Sequence, residues 1–217
     1  MALVPYGWKD KNSKKYGIIY ELNQEIGLRL DTPFTNEIYP FKRMLKMLDR
    51  GELDLISSQP HQEALDSGEK LGIQHDVVVI VGTKKDSNIQ SIEDLKDKNL
   101  IYHLSSSYKA LDEIQHSITR VNNYKDSVIT LHRNRDVDAA VFSEPAYYYW
   151  LRELGLTSED FGNVVVISPE KKQWIFVRRD LPDKLKNDVK LVVAEIYKEN
   201  VYKDLLFKYG KSPQAAD

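Results

Sequence analysis

The chain has no cysteine, which excludes disulfides, structural thiolate zinc sites and a cysteine nucleophile while leaving the redox compartment open. It has no excess of positive charge. Lys and Arg total 31 against 33 Asp and Glu, giving a net charge of -2 and a pI of about 6.2, so generic polyanion binding is disfavoured. No apolar run approaches the roughly 18 residues needed to cross a bilayer. No targeting segment is visible either: Met1 leads straight into Ala2-Leu3-Val4-Pro5, and any export signal is expected to have been removed or never to have existed. Gly-x-Ser-x-Gly, P-loop and Gly-x-Gly-x-x-Gly patterns are missing, which removes the recognisable hydrolase and nucleotide signals. The five histidines, His61, His75, His103, His116 and His132, form no His-x-x-x-His or His-Glu-x-x-His spacing, so neither a metal nor a cofactor is expected.

What is present suits a globular α/β protein. With 217 residues, 41% of them hydrophobic, the chain has room for two lobes of about 100 residues each. Ile18, Ile19, Leu22 and Ile26 recur at helical spacing with Gly27 as a stop, and Arg29 to Phe34 then reads as a short strand. Phe41, Met44, Leu45 and Leu48 form a second helical face, ended by Gly51. Leu53 to Ile56 is an apolar strand opening into Ser57, Ser58, Gln59 and Pro60, at the strand end where α/β sheets commonly bind ligands. The uniform run Val77 to Val81 predicts a central strand covered on both faces. Ser91 with Asp94 marks a helix start, Leu100 to Leu104 a strand, and Ser105-Ser106-Ser107 leads into a predicted helix carrying Leu111, Ile114 and Ile118. Val128 to Leu131, Ala139 to Phe142, Val164 to Ile167 and Trp174 to Val177 are predicted strands. Glu144-Pro145 opens a helix through Leu154, and helical pattern runs from about Leu181 to Tyr209.

The order and spacing of several short landmarks resemble the family 3 solute-binding proteins, extracytoplasmic receptors of polar amino-acid ABC transporters. They are Pro5-Tyr6-Gly7-Trp8, Leu48-x-x-Gly51-x-x-Asp54-Leu55-Ile56 and Ile89-x-Ser91-x-x-Asp94-Leu95-Lys96, then Ser106-Ser107-Tyr108, Val137 to Val141 with Glu144-Pro145, and Tyr202-Lys203-x-Leu205. The resemblance covers nearly the whole chain. It implies a two-lobed periplasmic-binding-protein-like fold, each lobe a mostly parallel sheet flanked by helices, joined by two hinge crossings. Residues 1–83 and 170–217 would form lobe 1 and residues 84–169 lobe 2, with the ligand in the cleft. The family's opening strand is expected to be missing or shortened, since only Met1 to Val4 precede Pro5.

Two departures bear on chemistry. The family's Thr-x-x-Arg segment, whose guanidinium grips a ligand carboxylate, has no counterpart: Ser57 to Gly72 contains no Arg. The family's ammonium-binding Asp falls at Ser143, beside Glu144. Arg43 is one substitute for the lost cation. Candidate ligand contacts are Tyr6, Trp8, Phe41, Arg43, Ser57 and Ser58 in lobe 1, and Ser106, Ser107, Ser143 and Glu144 in lobe 2. Ordinary roles compete: core packing for the aromatic residues, a solvated turn for Ser57 and Ser58, helix capping for Ser106 and Ser107, and helix-dipole complementation for Glu144. Tyr147-Tyr148-Tyr149-Trp150 reads as core and lobe surface.

The expected function is a non-enzymatic solute receptor that closes on a small polar ligand, amino-acid-like or related. It would be a monomer, periplasmic or otherwise extracytoplasmic, serving an ABC permease or a sensor partner and no nucleic acid. A sensing domain of a membrane receptor is the alternative, with a dehydratase-like enzyme behind it. A transcription-regulator effector lobe would normally follow a helix-turn-helix that the chain lacks.

Overall fold

A computed structural model of the chain describes residues 1–104 and 106–209. Its elements are β1 (Trp8–Lys9), β2 (Lys15–Tyr16), α1 (Ile18–Arg29), α2 (Phe41–Asp49), β3 (Leu55–Ser58), α3 (Gln62–Ser67), β4 (Glu69–Lys84), β5 (Asn99–His103), β6 (Ser117–Val121), α4 (Tyr124–Arg133), β7 (Ala139–Ser143), α5 (Glu144–Glu153), β8 (Phe161–Val177), α6 (Asp183–Lys198) and α7 (Val201–Tyr209). They form two compact units, Met1–Asp76 with Lys172–Tyr209, and Val77–Lys171. Long strands β4 and β8 make the two crossings, so the boundaries fall inside strands. Val77 to Thr83 falls in the second unit, where Val79 to Thr83 pairs with β7.

In the first unit β8 stands between β3 and β4, and β3 runs antiparallel to it, with Ile56 opposite Phe176 and Ser58 opposite Trp174. The helical face of α2 supplies Met44, Leu45 and Leu48 to a core with Ile56, Ala64 and Phe176. Helices α1, α6 and α7 pack on one another, and Ile18, Leu22 and Ile26 of α1 and Val193 and Ile196 of α6 are buried. In the second unit β4 pairs antiparallel with β7, β7 parallel with β5 and β5 parallel with β6. Of the predicted run Val77 to Val81 all but the half-buried Val78 are buried, and burial continues through Gly82 and Thr83. Its side chains join Leu100, Leu111, Val141 and Val165 in one core. The α/β class holds; the strands are mixed in direction.

Several local expectations are corrected. Helix α1 runs past Gly27 to Arg29, and 30–34 forms no strand. Gly27 is there for close approach: a Cβ would lie 2.5 Å from the Phe34 ring. Val128 to Leu131 is helical, inside α4, because Asn123 accepts from the Asp126 amide at 2.8 Å and caps the turn. The expected helix after Ser107 shrinks to a 3-10 turn, Lys109–Leu111, and Ile118 pairs with Leu100 in β6 instead. The Ser91 helix is likewise one 3-10 turn, Glu93–Leu95. The separate strands at 164–167 and 174–177 are one strand, β8. The C-terminal helix breaks at Asn200, which takes φ 54.

β4 also buries polar side chains in the first unit: Gln74 is 1% exposed and His75 2%. The His75 ring stacks on Tyr202 at 4.2 Å, and neither of its nitrogens has a hydrogen-bond partner among the described residues. Burial lowers its pKa from 6.5 to about 3. The unfolded chain therefore takes up a proton near pH 6.5 that the folded chain refuses until about 3. The contribution is intact above that upper limit and shrinks as pH falls, by on the order of 1.4 kcal/mol per pH unit. Urea unfolding across pH 7 to 4 should show this slope in the parent chain and a shallower one in His75→Phe. At Gly17, φ is 126 and an added Cβ would sit 2.5 Å from the Tyr6 carbonyl oxygen. Gly17→Ala is expected to cost at least about 2 kcal/mol, read as a lower urea midpoint.

Candidate functional site

The first unit holds six of the candidate contacts. Tyr6 is buried, and its carbonyl accepts from the amides of Ile19 (3.0 Å) and Tyr20 (3.3 Å), so its backbone completes the first turn of α1. Trp8, half-buried in β1, stacks on Tyr16 at 5.7 Å and meets the Tyr209 ring edge-on at 5.6 Å. Phe41 opens α2, packs against the core and lies edge-on to His61 at 5.1 Å. Arg43 is exposed on the same helix, its guanidinium 5.1 Å above the Tyr39 ring.

Ser57 and Ser58, expected in a turn, are instead the last two residues of β3. Strand alternation sends them to opposite faces. Ser57 donates to Asn23 Oδ1 at 3.0 Å, and the same oxygen accepts from Gln74 Nε2 at 2.7 Å. Ser58 is 5% exposed and donates to the Gln59 carbonyl at 3.0 Å. Asn23 and Gln74 had no distinguishing sequence signal; only the packing of α1 and β4 beside β3 brings them to Ser57.

The second unit holds the other four. The loop after β5 carries Ser106 and Ser107, while Ser105 of the expected Ser-Ser-Ser run lies outside the described residues. Ser106 donates to the His103 carbonyl at 2.7 Å, and its hydroxyl also meets that of Tyr108. Ser107 is exposed. From neighbouring β6, Arg120 Nη1 donates to the carbonyls of His103 (3.2 Å), Leu104 (3.0 Å) and Ser106 (3.0 Å). Its guanidinium also lies 5.7 Å from the Tyr102 ring. One side chain thus ties together three carbonyls at the end of β5, and nothing in Ser117–Val121 as sequence marks it.

The His103 ring sits 5.7 Å from the Tyr124 ring. Ser143, 7% exposed, has a buried hydroxyl with no hydrogen-bond partner among the described residues, immediately before Glu144. Glu144 is half-buried in the first turn of α5, ahead of Pro145. Burial raises its pKa, with no charged or hydrogen-bonding neighbour acting against it. The helix N-terminus opposes that cost only in part. The arrangement offers fixed acceptors, one uncompensated carboxylate and aromatic surface. Among the described residues no group of three His, Asp or Glu is placed to hold a metal ion, and no helix is long and apolar enough to cross a membrane.

The fold is that of the two-lobed periplasmic binding proteins. Residues 1–212 match the model of bacterial extracellular solute-binding proteins, family 3, and the chain belongs to that family. It is 25% identical over 214 residues to the probable amino-acid-binding protein YxeM of Bacillus subtilis (strain 168), covering 94% of this chain and 79% of that protein. The fold is shared with an ancestral arginine-binding protein bound to arginine, at TM-score 0.73 and 20% identity over 95% of this chain and 93% of the other. It is shared too with the GluR0 ligand-binding core in complex with L-glutamate, at TM-score 0.75 and 15% identity over 96% and 95% of the two chains.

Removing Arg120 tests the loop's dependence on it. In Arg120→Ala, the amides of Leu104 and of Ser106 to Tyr108 should exchange with deuterium at least about fivefold faster, while global stability changes by less than about 1 kcal/mol. Unchanged exchange would show that the loop holds its shape without the guanidinium.

Proposed function

We propose that the protein is an extracytoplasmic receptor that captures a small polar solute, amino-acid-like or a related organic compound, and delivers it unchanged to an ABC-type permease. The observation that carries this is the family match across residues 1–212, with a probable amino-acid-binding protein as a relative over nearly the whole chain. Tyr6, Trp8, Phe41, Arg43, Ser57 and Ser58 are the proposed contacts of the first unit, and Ser106, Ser107, Ser143 and Glu144 those of the second. Hinge closure is the expected mechanical step. A solute drives it only by binding the closed form more tightly than the open one. A monomer suffices for this role, and no step of it calls for a cofactor or a reacting acid–base pair.

A thermal-shift panel of amino acids, amines, sugars and small organic acids tests the proposal. A solute at 1,000 times its Kd adds about 4 kcal/mol to the folded state, several degrees in Tm for a chain of this size. Silence across the panel would count against a receptor role. With the responding solute, Ser58→Ala and Ser107→Ala should each weaken binding by about 1 kcal/mol with folding little changed. Titration curves identical to the parent in both variants would remove these serines from the site.

A further inference from the structure

The charges of helix α2, in the first unit, oppose its own dipole. Helices α1, α3, α4, α5, α6 and α7 each carry an Asp or Glu in the first turn, where a negative group is favoured. α2 carries no acid there and has Lys42 and Arg43 instead. Lys42, Lys46 and Arg50 follow one another at four-residue spacing, so like charges repel along one row. All three are exposed, while Met44, Leu45 and Leu48 turn the opposite face into the core. Among the described residues the side chains of Lys42 and Lys46 make no ion pair or hydrogen bond, and Arg50 meets Glu52 at 3.8 Å. Arg43 lies beside the row and is already a proposed solute contact.

The row ends at a groove of about 270 Å³ in the same unit, lined by Arg50, Arg178 and Arg179 together with Asp49 and Asp180. Arg178 pairs with Asp54 and Asp180 at 2.8 Å each, and Arg179 donates to the carbonyls of Leu65 (2.7 Å) and Asp66 (2.8 Å). Arg50 is thus the loosely paired cation at the groove. Folding gains nothing from such a row, whereas an anionic partner offsets both the dipole and the repulsion. The signs around it are mixed, since Asp49, Glu52 and Asp180 stand beside the cations. A continuous anionic surface such as a lipid leaflet would meet those acids too. A protein segment can set separate carboxylates on the cations and leave the acids in water. Cations about 6 Å apart along α2 also match carboxylates at four-residue spacing on a partner helix. We infer that the row of Lys42, Lys46 and Arg50 is a docking surface for an acidic helical segment of a partner protein. The inference rests on the receptor role proposed above in one respect: that role makes the partner the membrane protein that takes over the solute.

Fluorescence anisotropy at low ionic strength tests this on the whole chain, using a labelled alanine-rich helical peptide with Glu at every fourth position, its Lys counterpart, and competing vesicles of phosphatidylglycerol. The Glu peptide is expected to bind at least about tenfold more tightly than the Lys peptide and to weaken as salt rises. Lys42→Glu combined with Lys46→Glu should weaken it at least about tenfold, with Tm unchanged or raised because a Glu in the first turn suits the dipole. A lowered Tm would show that the lysines serve folding and would overturn the proposal. So would equal affinity for the two peptides, binding indifferent to the double substitution, or vesicles that outcompete the Glu peptide. Failure of the Glu peptide alongside a solute that responds in the thermal-shift panel would overturn the docking surface and leave the receptor role standing.

Discussion

Burial of β4 on both faces is the constraint on which the rest of this structure depends. Val79 to Thr83 has no polar side to show to water, so it must lie inside a sheet with helices over it. The same strand begins in the other unit, where Gln74 and His75 are equally buried. Asp76 marks the change of unit: it accepts from Tyr197 at 2.6 Å and pairs with Lys172 at 3.5 Å, so the first unit grips both crossing strands where they leave it. The exposed pair contributes little energy by itself.

The candidate contacts inherit their geometry from this frame. Ser57 and Ser58 sit where β3 ends against β8, and Ser106 where β5 ends beside β6. None of these hydroxyls points its proton at solvent freely. Asn23, Gln59 and His103 each take one, which leaves rigid lone pairs instead of rotating donors. Arg120 does for the β5 loop what no backbone ladder does there, since its guanidinium satisfies carbonyls that no strand partner reaches.

Much of the fold was legible along the chain. The faces of α1 and α2, the central position of β4, the strand Ala139 to Phe142 and the Pro145 helix start all follow from periodicity and capping chemistry. The failures came where a short segment is ambiguous by itself. Val128-Ile129-Thr130-Leu131 is β-branched enough to read as a strand, yet a cap at Asn123 and burial of Val128 and Leu131 make it helix. Ile118 fits a helical spacing from Leu111 and still joins β5, because parallel pairing is a non-local gain that no window of sequence contains. The site shows the same split. Ser57, Ser58 and Glu144 were visible as residue types at suggestive places, whereas Asn23, Gln74 and Arg120 were not.

The sequence by itself determined the α/β class, the family, the absence of cysteine chemistry and the loss of the carboxylate-gripping Arg, because each is written in residue identity, order or spacing. Tertiary structure decided where the units divide and which groups meet across the sequence. Ser57 finds Asn23 34 positions away, and Arg120 finds the Ser106 carbonyl 14 positions away. Hydrogen-bond direction and burial belong to pairs of groups in space, and a linear sequence lists the groups without their pairing.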